Sequence, residues 1–144
     1  MNSPILSSIL LVDDDEISNL FNKIFIGKLN LNVNVDFVLN GKEALDLLIP
    51  SKDYSTILMP CLLLLDIKMP IMNGWEFLKA YEEQVSPAIR QKIIIVMLTT
   101  SEDEADMIKA ANNTNIREYI NKPLSEKSIK KLIRKYFPKT KLDK

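Results

Sequence analysis

Two kinds of apolar pattern alternate along this chain. Unbroken runs, Ile9-Leu10-Leu11-Val12, Leu62-Leu63-Leu64-Leu65 and Ile93-Ile94-Ile95-Val96-Met97-Leu98, suit strands buried on both faces, and weaker runs at Val33–Val38 and Ile116–Ile120 add two more. Between them apolar residues recur three and four apart. Ile17, Leu20, Phe21, Ile24 and Phe25 predict one apolar helical face ending near Gly27. Ala44, Leu45, Leu47 and Leu48 predict a helix that Asn40 caps with Glu43 and that stops near Pro50. Trp75 to Val85 is a third helix, behind an Asn73/Glu76 cap. A fourth carries Ala105, Ile108 and Ala111 behind a Ser101/Glu104 cap, and Ser125 opens a fifth with Ile129, Leu132, Ile133, Tyr136 and Phe137. The stretch between Pro50 and Pro60 reads as a loop, and residues 138–144 as a frayed tail.

Five strand signals alternating with five helix signals call for a parallel sheet covered by helices on both faces. Ligands of such sheets bind beyond the carboxyl ends of the strands. The residues at those ends are Asp13 and Asp14, Asp66, Thr99 and Lys122. Polar groups scattered through the sequence are thereby predicted to meet on one rim.

Composition narrows the chemistry. The 144 residues form one domain, residues 1–144 with a core of about 8–137, and 47% hydrophobic residues with zero formal net charge describe a globular chain. There is no His, which removes triad and His-ligated zinc chemistry, and the single Cys61 reads as an inert buried thiol. The N-terminus lacks a signal-peptide pattern and no apolar stretch is long enough to span a bilayer, so no membrane association and a cytoplasmic location are expected. Residues 122–144 are basic, but without an aromatic platform or binding motif they read as a solvated helix face, which disfavours a nucleic-acid partner.

Three carboxylates in one cleft repel each other, which either a raised pKa or a bound hard cation resolves; of cations, Mg²⁺ suits oxygen ligands best. A Lys and a Thr on the same rim supply what the oxygens of a phosphoryl group need. Taken singly, Asp13–Glu16 also suit a solvated helix start, Asp66 a strand-end charge, Thr99 a cap hydroxyl and Lys122 a surface cation.

Four motifs in order, Leu11-Val12-Asp13-Asp14-Asp15-Glu16, Leu65-Asp66-Ile67-Lys68-Met69-Pro70-Ile71-Met72-Asn73-Gly74, Met97-Leu98-Thr99 and Tyr119-Ile120-Asn121-Lys122-Pro123, make the chain resemble the receiver domain of two-component response regulators from Ile9 to Phe137. The resemblance implies a flavodoxin-like (βα)5 fold with strand order 2-1-3-4-5, and often a cis bond at a step such as Lys122-Pro123. It further implies that Asp66 accepts a phosphoryl group from a phosphohistidine on a kinase or a histidine phosphotransfer protein. Asp14, Asp66 and the Lys68 backbone carbonyl would ligate Mg²⁺, with Asp13 acting largely through water. Thr99 and Lys122 would hold the phosphoryl oxygens, and Thr99 and Tyr119 would switch the surface of residues 103–137 toward a downstream protein.

Lys68 and Ser101 stand where such domains tune phosphoryl lifetime, and Lys68 is expected to alter autodephosphorylation through its charge. The chain is thus expected to be a stand-alone phosphoacceptor rather than a turnover enzyme. A phosphatase of the haloacid dehalogenase type is the enzyme alternative, although it would have Asp where Lys68 stands; an unphosphorylated adaptor would more naturally have lost Asp14, Asp66 or Lys122.

Overall fold

The structure, a computed structural model, describes residues 5–49, 57–100 and 102–142. The strands are β1 (Ser8–Val12), β2 (Asn34–Val38), β3 (Cys61–Leu65), β4 (Ile93–Thr99) and β5 (Ile116–Asn121). The helices are α1 (Glu16–Gly27), α2 (Gly41–Leu48), α3 (Gly74–Gln84), α4 (Pro87–Arg90), α5 (Glu104–Ala111) and α6 (Glu126–Tyr136). All strand pairs are parallel, in the order β2-β1-β3-β4-β5. The doubly wound sheet expected from the alternating runs is the one observed.

Each leucine run is buried because the pleat sends alternate residues to opposite helical layers. Leu10, Val12, Leu63, Leu65, Ile95 and Met97 pack with α2 and α3, including Leu45, Leu48, Phe77 and Tyr81. Ile9, Leu11, Leu62, Leu64, Val96 and Leu98 pack with Ile26 of α1 and Ile129, Leu132 and Ile133 of α6. Cys61 lies wholly inside, where burial pushes its thiol up to about 11. Register then aligns the carboxyl ends: Val12 pairs with Leu65, Leu65 with Met97 and Thr99 with Asn121, so the residues that follow emerge along one edge.

The caps at Asn40, Asn73 and Ser125 form as expected, and Asn73 with Glu76 completes a full box. At Asn40 the Glu43 carboxylate instead accepts from the Leu39 N–H, at 2.7 Å. Helix α5 differs from expectation: it starts at Glu104 and is capped by Asp103, which accepts from the Ala105 N–H. Ser101 and most of the 50–60 loop fall outside the described residues, as does the end of the tail. Short α4 was not expected; Ser86 capping a Pro at the first helical position is its signal.

Helix α1 is the main correction. The stripe Ile17, Leu20, Phe21, Ile24 does not face the sheet: Ile17 is 81% and Phe21 69% exposed. Asn19 and Ile26 are buried instead, with Ser18, Asn22 and Phe25 half-buried beside them, and Leu29 beyond the helix end is also buried. Periodicity found a helix there but not its rotation. Helix α5 behaves similarly, burying Ala110 and exposing Met107 and Ile108.

One loop carries backbone strain. The Met72 N–H donates to the Pro70 carbonyl across Ile71, whose φ is 68°, so Ile71 is the centre of a tight three-residue turn with a positive φ. A β-branched residue is poorly suited to that conformation. Ile71 is 79% exposed, so little burial offsets the strain. Ile71→Asn is therefore expected to stabilise the fold by about 1 kcal/mol, read as a higher urea midpoint with unchanged slope.

Candidate functional site

The site grows from β1. After Val12 the Asp13 N–H continues the ladder to the Val38 carbonyl, leaving its buried side chain at the sheet edge. One Asp13 oxygen accepts the Asp15 N–H at 3.0 Å, and the other accepts from the Lys122 ammonium. Asp15 is no part of the cluster. It caps α1 by accepting from the Ile17 and Ser18 N–H groups, and the Ser18 hydrogen bonds hold its carboxyl below the usual range.

Asp66 follows β3, its N–H donating to the Val12 carbonyl at 2.9 Å. Its side chain is nearly enclosed, the residue being 9% exposed. Oδ1 accepts the Ile67 N–H at 2.8 Å and Oδ2 accepts from Lys122 Nζ at 3.1 Å. The loop behind it is tied down by the Gly74 N–H on the Ile67 carbonyl and the Gly41 N–H on the Met72 carbonyl. Gly74 is required by close approach, since a Cβ there would lie 2.5 Å from the Asp66 carbonyl oxygen.

Lys122 leaves β5 with its N–H on the Thr99 carbonyl, and its ammonium bridges Asp13 and Asp66. The Lys122–Pro123 bond is cis, as the resemblance implied. Burial pulls the ammonium down, but the hydrogen bonds and charges of Asp13 and Asp66 outweigh it and hold it above its ordinary value. Thr99 is buried at the end of β4, beside the β5 end from which Lys122 leaves. Tyr119, two residues before the end of β5, is half-buried against the α2/α3 core.

Burial pushes the Asp66 carboxyl up, the Asp13 charge adds to this, and Lys122 only partly opposes it. The folded state therefore binds a proton at Asp66 more readily than the unfolded chain, whose value is near 3.8. The resulting stabilisation is full below that value and is lost as pH rises through the folded pKa. At neutral pH the buried charge burdens the fold. Asp66→Asn is accordingly expected to melt higher than the wild type in chelator at neutral pH, with the gap closing as pH falls toward 3.8.

Asp13, Asp14 and Asp66 each offer a carboxylate oxygen within 4.8 Å of the others. Asp14 is exposed and shares a depression with Ile67, Lys68, Met69, Pro70 and Asn73. A set of hard oxygen donors, with one acid open to solvent and two already partly neutralised by Lys122, fits a small divalent cation that retains waters. The Lys68 side chain itself is exposed. Sequence reasoning missed Asn19, whose Nδ2 donates to the Asp13 carbonyl at 2.7 Å. Its signal was a polar residue in a helix otherwise read for its apolar stripe.

The family model of the response regulator receiver domain matches residues 9–134. A probable methanogenesis regulatory protein, FilR2, of Methanothrix harundinacea is 30% identical over 87% of this chain and 77% of its own length. Sporulation initiation phosphotransferase F of Bacillus subtilis is 31% identical, over 90% of this chain and 93% of its own length. A response regulator receiver protein from Dyadobacter fermentans superposes with a TM-score of 0.77 at 25% identity, covering 92% of this chain and 98% of that one. In other curated relatives the matched region spans from 7% to 81% of the protein. No described helix is long and apolar enough to cross a membrane.

Proposed function

We propose, from the premise that this chain belongs to the response regulator receiver domain family, that Asp66 is its phosphoacceptor and that Asp14, Asp66 and the Lys68 carbonyl hold the Mg²⁺ that such domains bind. The observation that carries this is the convergence of Asp13, Asp14 and Asp66 with the bridging Lys122 at the strand ends. An Asp66 oxygen forms a bond to phosphorus while the bond to the donor's imidazole nitrogen breaks, that nitrogen keeping the electron pair. Lys122 neutralises the carboxylates before transfer and faces the phosphoryl oxygens afterwards. The cation, when bound, offsets negative charge on the transferring group. Thr99 and Tyr119 are the switch pair, and α5, with Met107 and Ile108 exposed, is part of the surface offered to a downstream protein.

The donor is a histidine kinase or histidine phosphotransfer protein, and we assign its docking surface to α1. The helix turns polar Ser18, Asn19 and Asn22 inward over its first two turns and leaves Ile17, Leu20, Phe21 and Ile24 in solvent. That stripe borders a groove of about 440 Å³ whose wall includes Lys122 and Pro123. A protein delivering phosphorus to Asp66 must cover this edge, and apolar residues beside it favour a partner helix with a matching face. Phe21→Ser is expected to slow transfer from a phosphohistidine donor protein about tenfold, the effect of losing roughly 1.4 kcal/mol of contact, while leaving acetyl phosphate labelling unchanged.

The test of the function is incubation with radiolabelled acetyl phosphate and Mg²⁺. One acid-stable, base-labile label per chain, absent from Asp66→Asn, supports a phosphoacceptor. Sustained release of phosphate without label would assign the chain to the phosphatases, and no reaction at all would leave the adaptor reading standing.

A further inference from the structure

The acid that the site most needs to aim is the one least held. Asp14 is exposed, and among the described residues no hydrogen bond fixes its carboxylate. What positions it is the backbone on which it stands. The Asp13 carbonyl belongs to the planar peptide joining Asp13 to Asp14, so a group that fixes that oxygen also fixes the direction in which the Asp14 Cα leaves. Asn19 Nδ2 donates to that oxygen at 2.7 Å.

Three features mark Asn19 as more than a packing residue. It is 1% exposed, on a helix that sends four large apolar residues outward while this amide goes inward. The bond to a carbonyl sets the amide orientation, because only the nitrogen can donate. Its Oδ1, buried by the same orientation, has no hydrogen-bond partner. An unpaired buried acceptor destabilises a fold, so a stability role alone accounts poorly for an Asn here.

We infer that Asn19 is a positioning residue that clamps the Asp13–Asp14 peptide plane and thereby holds Asp14 within coordinating reach of Asp66. The inference rests on the metal-site reading above. Asp13 is fixed independently, through the Asp15 N–H and Lys122, so loss of Asn19 acts on Asp14 and on cation affinity.

The test compares wild type with Asn19→Leu, which keeps the shape and removes both polar atoms, and with Asn19→Ala in case Leu fails to fold. Mn²⁺ binding is titrated by electron paramagnetic resonance of the free ion, alongside thermal melts in chelator and acetyl phosphate labelling over a range of Mg²⁺. The expected result is an Mn²⁺ dissociation constant about tenfold weaker, at the low end of effects seen when outer partners of metal ligands are removed. The melting temperature in chelator is expected to be unchanged or raised in Asn19→Leu, and the labelling rate is expected to recover at saturating Mg²⁺. A folded variant that binds Mn²⁺ as the wild type does overturns this inference alone. Wild type that binds no Mn²⁺ overturns it together with the metal-site reading.

Discussion

Lys122→Met is expected to slow labelling of Asp66 on the order of 10²–10³-fold, the range found when one preorganised charge-stabilising group is removed from a reaction site. Methionine keeps nearly the same length and apolar stem, so packing changes little and the charge is what disappears. The ammonium bridges two carboxylates that are themselves nearly enclosed, and no other cation contacts either of them among the described residues. Removing one partner of such a group leaves its charge uncompensated, which costs roughly 3–5 kcal/mol in a fully buried setting and less here because Lys122 keeps some exposure.

The same substitution carries a pH signature. Asp66 already sits above its ordinary value through burial and the Asp13 charge. Without Lys122 both opposing contributions of that ammonium vanish, and the carboxyl rises further. The folded variant then holds a proton that the unfolded chain releases, so the deficit against wild type is largest at neutral pH and shrinks in acid. Urea melts in chelator at about pH 8 and about pH 5 read this directly, and equal deficits at both would contradict it.

Gly74→Ala is the second large effect, and it is steric. The added Cβ would sit 2.5 Å from the Asp66 carbonyl oxygen and 3.1 Å from the Ile67 Cα, both backbone atoms that no rotamer change can move aside. The Gly74 N–H also donates to the Ile67 carbonyl, so any displacement of α3 breaks the hydrogen bond that closes the loop behind Asp66. Overpacking of this kind costs about 1–3 kcal/mol. A loop that shifts also carries Asp66 away from Lys122 and Asp14, so Gly74→Ala is expected to lose most labelling even where it remains folded. A variant with a lowered melting temperature and wild-type labelling would show that the loop tolerates the shift.

Why some of this could be read from residues alone, and some not, follows from the physics of each element. Uninterrupted leucine and isoleucine runs have few alternatives to a doubly covered parallel sheet, and in such a sheet the residue after each run must emerge at the carboxyl edge. Asp13, Asp66 and Lys122 were for that reason predictable on one rim of the sheet, and Lys122 is found bridging the two acids. Helix α1 was not predictable in the same way. Its sequence carries two interleaved stripes, Ile17/Leu20/Phe21/Ile24 and Asn19/Phe25/Ile26/Leu29, and hydrophobicity favours burying the first. The second is the buried one: it packs Ile26 and Leu29 into the core with Phe25 against them and brings Asn19 to the Asp13 carbonyl.

Smaller departures have local causes. The start of α5 moved to Asp103 because a carboxylate two residues nearer the helix caps it as well as Ser101 would. The strained Ile71 could not be foreseen, since neither Pro70 nor Ile71 signals a positive φ.

The cation site at the strand ends is tested by an anomalous difference map from crystals of the wild-type protein soaked in Mn²⁺. One strong peak is expected, bonded to carboxylate oxygens of Asp14 and Asp66 and to the Lys68 carbonyl. A peak elsewhere, or none at this edge of the sheet, would contradict that site.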